Sequence, residues 1–343
     1  MKKRDYGLDL LRIVLCIFVI MLHSLAYFGD LNKFIGTYFP TIIGSANVLF
    51  FVISGYLNLE KNFKSNKDII DFYKTRFIYV VLPFLGFNLF WVIWDYMHAN
   101  GSFDLLGVAY DYYDMIMGEA AKGHMWFMYP YFGLLLATPF LSKMLHAMDN
   151  KELKTLWYLG LGFNACYYFL CENMGLHFRV SAWFLEGWAL YYVTGYIFRH
   201  VLVNESPVKW TILCLLGYFA TVLGGSGKLT FFKYFEGVND LQPMFTLFCI
   251  GLLYIWNRFV KINNDKVGKV ISYIGYCTYL IYLFHVRGIE YAGRKLNIVE
   301  PSLTNGLIVV LGAFIFSLIA SMVINFVMKP AQDFLKKKLV TDK

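Results

Sequence analysis

Leu8-Asp9-Leu10-Leu11-Arg12-Ile13-Val14-Leu15-Cys16-Ile17-Phe18-Val19-Ile20-Met21-Leu22-His23 is an apolar run suited to crossing a membrane as a helix. It carries three residues that a plain anchor does not need: Asp9, Arg12 and His23. Arg12 and His23 stand eleven positions apart. On an α-helix that interval turns about 1100°, three turns plus roughly 20°, so both side chains share one stripe roughly 16 Å apart. A cation and an imidazole on one stripe of a membrane helix point to a functional site. The bland reading has Arg12 reaching back to the headgroups and His23 capped by a carbonyl.

Composition carries the membrane reading across the chain. Of 343 residues, 58% are hydrophobic, 20% aromatic and 16% charged, and the mean hydropathy is +0.52. A water-soluble domain carries about 25% charged residues. Ten apolar segments are expected as spans, at roughly 8–27, 39–58, 76–97, 125–145, 152–171, 183–202, 209–225, 241–258, 268–286 and 303–328. The fold expected is an all-α polytopic bundle, one membrane domain over residues 1–343. The start Met1-Lys2-Lys3-Arg4 imitates a signal peptide, but Arg12 inside the apolar run argues for a retained first helix.

The basic residues orient the bundle. With a cytoplasmic N-terminus, 22 of the 31 Lys and Arg fall in inside segments and 8 in outside segments, Arg12 lying within a span. That bias places both termini in the cytoplasm. It also explains the formal charge of +8 without a nucleic-acid partner. The outside connection Asp104–Gly118 reads as a short amphipathic helix on the outer surface or over a cavity. The six cysteines show no CxxC pair or metal spacing and read as small buried residues; no metal site is expected.

Topology sorts the polar residues. His23, Asp95, His98, His124, Trp126, Glu186, His285 and Arg287 fall toward the outside, and Arg12, Ser54, Lys74 and Arg76 toward the cytoplasm. Imidazole takes a proton from a hydroxyl near neutral pH, and cations hold a phosphorylated donor. Ser54-Gly55 has a packing reading, since small residues let membrane helices approach closely. The stretch Gly224-Gly225-Ser226-Gly227-Lys228 mimics a phosphate loop, but Val222 and Leu229 break the pattern and it reads as an ordinary loop.

At four places the chain resembles the membrane-bound acyltransferase family 3, the integral membrane O-acetyltransferases. Asp9-Leu10-Leu11-Arg12 followed by His23 is similar to that family's first helix. Phe50-Phe51-Val52-Ile53-Ser54-Gly55-Tyr56 is similar to its second. His124-Met125-Trp126-Phe127 and Tyr279-Leu280-Ile281-Tyr282-Leu283-Phe284-His285 resemble two later motifs. A family Arg-x-x-Arg before a proline appears here as Arg76-Phe77-Ile78-Tyr79 ahead of Pro83, with Tyr79 for the second Arg and Lys74 nearby. Many relatives also carry an SGNH-hydrolase-like domain; none is expected within these residues.

The resemblance implies transfer of an acyl group, usually acetyl, from cytoplasmic acetyl-CoA to a hydroxyl at the outer face. The acceptor is typically an envelope glycan or lipid-linked sugar, and the setting a bacterial cytoplasmic membrane. It implies His23 as general base or transient acyl carrier, Arg12 at the donor and Asp9 orienting Arg12. Arg76 and Lys74 would bind donor phosphates and Ser54 and Gly55 line the passage. His124, Trp126, Glu186 and His285 would meet the acceptor or tune His23. Self-association stays open. The alternative reading is a small-molecule transporter, because similar membrane domains precede racemase domains in some resistance proteins. A third is a receptor or scaffold that has lost activity.

Overall fold

Each apolar segment read from the sequence coincides with a helix in the computed structural model, which describes residues 4–29, 31–117, 124–174, 185, 187–225, 242–298 and 300–341. No strand occurs among the described residues. The helices are α1 (Tyr6–His23), α2 (Leu31–Asn58), α3 (Asn66–Arg76), α4 (Leu82–Asn100), α5 (Leu105–Met117) and α6 (Met128–His146). They continue with α7 (Asn150–Tyr167), α8 (Trp188–His200), α9 (Pro207–Gly225), α10 (Pro243–Phe259), α11 (Asp265–Lys295) and α12 (Leu303–Lys336).

Capping residues set several boundaries. Asp5 accepts the Leu8 N–H before α1, and Ser65 with Asp68 forms a capping box at α3. Asn264 accepts the Lys266 and Val267 N–H groups before α11. A π-helical turn, Phe77–Val81, joins α3 to α4. Pro83 follows it, and its missing N–H is one reason for the changed hydrogen-bond register there.

Six helical stretches among the described residues are long and apolar enough to cross a membrane: Tyr6–His23, Thr41–Asn58, Asn66–Asn100, Pro207–Gly224, Asp265–Lys295 and Leu303–Val340. The other four expected spans coincide with helices that fall short for physical reasons. With 13 and 17 residues, α8 and α10 are short. Tyr129, Pro130, Tyr131, Pro139 and Lys143 dilute α6, and Lys151, Glu152 and Lys154 dilute α7.

The chain divides into two compact units, one of residues Met1–Asn62 and Phe140–Ser321, the other of Phe63–Pro139 and Met322–Lys343. In the first unit α1 and α11 run parallel: Tyr6 bonds Asp265 (2.8 Å), Arg12 bonds Thr278 (2.9 Å) and the His23 and His285 rings lie 5.0 Å apart. α2 and α8 also run parallel, with Phe51 against Trp188 and Glu60 against His200. Neighbours α7 and α8 are antiparallel (Trp157 to Thr194, Asn164 to Leu185), as are α9 and α10 (Cys214 to Gly251, Thr221 to Gln242). The start of α1 also meets the end of α10, with Trp256 Nε1 donating to the Gly7 carbonyl at 2.9 Å.

In the second unit the α3–α4 stretch and α6 are antiparallel, with Tyr73 donating to the Leu136 carbonyl and Phe84 packed on Tyr129 and Phe132. The α3–α4 stretch meets the C-terminal part of α12 head to tail, through Lys74 to the Leu339 carbonyl (2.8 Å) and Gln332 to the Ile78 carbonyl (3.2 Å). α5 forms where the outer amphipathic helix was expected. Val108 is its buried anchor, Tyr112 bonds the Leu85 carbonyl, and Leu106, Tyr110, Tyr113 and Met117 form an exposed apolar stripe. One expectation needs correcting: Cys16, Cys214, Cys249 and Cys277 are buried, but Cys166 is exposed on α7, because its position points away from the α8 seam used by Trp157 and Asn164.

The α2–α8 seam is closed by two glycines. A Cβ on Gly55 would run into the Tyr192 carbonyl, and one on Gly195 into the Val52 carbonyl and Tyr56 nitrogen. Gly55→Ala and Gly195→Ala are each expected to cost about 1–3 kcal/mol by overpacking, read as a lower thermal midpoint in detergent. Gly86→Ala and Gly133→Ala, where a Cβ would meet nothing within 4 Å, should stay near the parent. Four indistinguishable midpoints would contradict the seam.

Candidate functional site

α1 presents its polar residues to α11. Asp9 is buried, 6% exposed, one turn inside an apolar helix. Such a carboxylate is costly unless charged donors surround it. Arg4, just before the helix, bonds it at 2.7 Å, and Arg12, one turn later, at 3.4 Å. Arg4 also reaches the Ser272 carbonyl of α11 at 3.3 Å. Arg12 Nη2 donates to Thr278 Oγ1 at 2.9 Å, and Thr278 in turn donates to the Gly275 carbonyl. Gly275 makes room for this cluster, since a Cβ there would sit 3.1 Å from that of Asp9.

Arg12 is held in place without being used up. Two of its five N–H donors are assigned, to Asp9 and Thr278, and its side chain keeps 24% of its exposure. It is an oriented cation at the edge of the helix pair. Three turns on, His23 closes α1, exposed, its ring 5.0 Å from that of His285. His285 is fully buried, and its Nδ1 meets the Tyr282 carbonyl three residues earlier. The stripe read from the spacing of Arg12 and His23 therefore faces a helix, and both residues meet α11.

The other expected residues lie elsewhere. Gly55 lies in the α2–α8 seam, as the packing reading has it, and Ser54 is half-buried beside it. The same motif holds Tyr56, whose ring lies under the Arg199 guanidinium (4.7 Å) and whose carbonyl accepts from Arg199. Arg199 and His200 converge on Glu60 at 3.4 and 2.9 Å. Nothing in residue spacing links Glu60 to α8, so this cluster was not legible in advance. A small open pocket lies beside the start of α1, lined by Asp5, Leu8, Tyr56, Phe198, Trp256 and Asn257 among others.

Lys74, Arg76, His124 and Trp126 belong to the second unit. Arg76 ends α3, its guanidinium 5.1 Å from the centre of the Phe72 ring. Tyr79, where the family pattern has Arg, donates to Asp333 at 2.8 Å and lies under Lys336. The C-terminal helix thus brings a cation to the position that lacks one, which sequence order could not reveal. His124 and Trp126 form the 3-10 turn that opens α6, and Tyr129 just after it bonds the Ile116 carbonyl of α5. Glu186 and the Ser226–Lys228 part of the glycine-rich stretch lie outside the described residues.

Comparison with known proteins fits this arrangement. The acyltransferase domain model of acyltransferase family 3 matches residues 5–326. An "Amino-acid racemase" of Enterococcus faecalis is 23% identical over 340 residues, covering 92% of this chain and 46% of that protein. The chain spans about half the length of this curated relative. No solved structure matches the chain.

Asp9 is the member of the cluster whose loss is expected to matter most to α1. Asp9→Asn keeps the shape but removes the charge that holds two guanidinium groups. It should cost about 1.5–3 kcal/mol in thermal unfolding, and Thr278→Val about 1 kcal/mol. An Asp9→Asn protein as stable as the parent would mean that the cluster does not hold α1 to α11.

Proposed function

The chain belongs to acyltransferase family 3, and from that membership we propose that it is a membrane acyltransferase carrying acetyl from acetyl-CoA to an acceptor hydroxyl. The observation that carries the proposal is the α1–α11 pair, with an oriented guanidinium and an accessible imidazole on one stripe. The relative's printed name describes a racemase, and it gives the transporter reading no support.

The chemistry needs one base and one anion holder. His23 takes the proton of the acceptor hydroxyl as the oxygen attacks the thioester carbonyl. A C–O bond forms, the C–S bond breaks, and the leaving thiolate of CoA receives the proton from His23. Arg12 steadies negative charge on the donor, with Asp9 and Thr278 fixing its direction. Arg76 and Lys74 hold donor phosphate, on the strength of residue type and family resemblance. His124, Trp126 and Glu186 are assigned to the acceptor on the same grounds. The acceptor class is an envelope glycan or lipid-linked sugar.

The bundle is read as ten spans with both termini cytoplasmic, in a bacterial cytoplasmic membrane. Helix directions support that count. The parallel pairs, α1 with α11 and α2 with α8, join the first span to the ninth and the second to the sixth. The antiparallel pairs, such as α9 with α10, all join an odd span to an even one. Strict alternation requires this pattern, and a span lost or gained in between would break it.

Free-thiol release from acetyl-CoA by the purified protein, with a glycan acceptor, tests the reading. His23→Ala is expected to lower turnover by about 10²–10⁴-fold, the usual worth of a general base, while thermal stability stays near the parent. A fully active His23→Ala protein removes His23 from the chemistry. Arg76→Ala should raise KM for acetyl-CoA by about tenfold or more, the worth of a charged hydrogen bond, with kcat little changed. An unmoved KM would take Arg76 out of the donor site.

A further inference from the structure

We infer that Arg4 is a donor-binding residue: its guanidinium, set beside that of Arg12 on the shared carboxylate of Asp9, holds the diphosphate of the acyl donor at the cytoplasmic end of α1. This rests on the reading of the donor as acetyl-CoA. It adds a residue that lies outside every motif of the family resemblance.

One guanidinium is enough to neutralise Asp9, yet two converge on it, which leaves one positive charge over. Arg4 Nε donates to Asp9 Oδ2 at 2.7 Å, and its Nη2 reaches Asp9 Oδ1 (3.4 Å) and the Ser272 carbonyl (3.3 Å). Its Nη1 meets no acceptor among the described residues, and its side chain keeps 54% of its exposure. The other carboxylates at this end are engaged elsewhere. Asp265 accepts from Tyr6 and pairs with Lys269 at 3.0 Å. Asp5 accepts the Leu8 N–H and lines the pocket toward α2 and α10. Two planar cations therefore stand together with N–H groups to spare, an arrangement suited to phosphate oxygens. Asp9, Ser272 and Thr278 hold them in place, so little side-chain freedom is lost when an anion arrives.

Length decides which anion fits. Along α1, Arg12 lies about 16 Å below His23, and Asp9, which sets the level of the Arg4 guanidinium, about 21 Å below it. In an acyl-CoA about thirteen bonds separate the thioester sulfur from the first phosphorus, roughly 15 Å for a stretched chain at about 3.5 Å per three bonds. The second phosphorus follows two bonds further on. A thioester held at His23 thus sets the first phosphate at the level of Arg12 and the second toward Arg4. A phospholipid headgroup offers the same anion chemistry, but only the donor ties its phosphates to His23 by an arm of this length.

The experiment uses the full chain in a neutral detergent, with Arg4→Gln, whose amide can still donate to Asp9, and Arg4→Lys, which keeps the charge. Titration calorimetry gives Kd for desulfo-CoA, which cannot carry an acyl group, and for inorganic pyrophosphate. Arg4→Gln should weaken both about tenfold or more, the worth of a charge-assisted hydrogen bond, while its thermal midpoint without ligand stays nearer the parent than that of Asp9→Asn. Arg4→Lys should recover at least threefold of the lost affinity. In the thiol-release assay Arg4→Gln should raise KM for acetyl-CoA by the same factor, with kcat within twofold, the mark of a group that only binds. Desulfo-CoA bound by Arg4→Gln within twofold of the parent overturns the assignment, as does an Arg4→Lys protein no better than Arg4→Gln. A difference between parent and Arg4→Gln that emerges only when phosphatidylglycerol is added also overturns it, since the anion is then a lipid headgroup. If the parent binds no desulfo-CoA, the acyl-CoA reading fails separately, and pyrophosphate binding by the parent against Arg4→Gln alone decides whether the arginine pair holds a diphosphate.

Discussion

A carboxylate one turn inside an apolar helix has to be surrounded by donors, and Asp9 meets that demand with Arg4 and Arg12. The ion cluster cannot be satisfied by α1 alone. Arg4 finishes on the Ser272 carbonyl and Arg12 on the Thr278 hydroxyl, so neutralising Asp9 docks α1 along α11. Everything proposed for the site follows from this docking. It fixes the rotation of α1, and that rotation brings His23 to His285 three turns later. Turned by a third of a revolution, the same helix would present Arg12 and His23 to lipid.

Close helix approach does the rest. Without water to squeeze out, membrane helices associate through packing and backbone proximity, which small residues permit. Gly55 and Gly195 let α2 and α8 touch backbone to backbone, and Gly217 and Gly251 do the same for α9 and α10. Gly268 and Gly275 receive Tyr6 and Asp9 on α11. The motif around Ser54-Gly55 thus works first as a seam. Its functional reach comes through Tyr56, which holds Arg199 beside Glu60.

Much of this was legible in the chain itself. Long apolar runs located the helices, and the eleven-residue interval from Arg12 to His23 fixed their common stripe, because helix geometry leaves no freedom there. Asp9 beside Arg12 was readable for the same local reason. What stayed hidden depends on contacts across long sequence distances. Arg4 precedes the helix and carries no periodic signal, yet it is the shortest contact of Asp9. Thr278 as the partner of Arg12, Lys336 over Tyr79 and Glu60 beside Arg199 join residues that only tertiary packing makes neighbours. Cys166 looked like its buried counterparts because composition does not say which side of α7 faces α8.

The central claim is that the stripe shared by Arg12 and His23 is where a thioester meets its acceptor. A cryo-electron microscopy structure with a non-transferable acyl-CoA analogue bound would test it most directly. The account predicts the acyl carbon of the analogue beside the exposed edge of His23, with Arg12 along the donor arm. An analogue bound away from α1 and α11, with His23 turned to lipid, would contradict it.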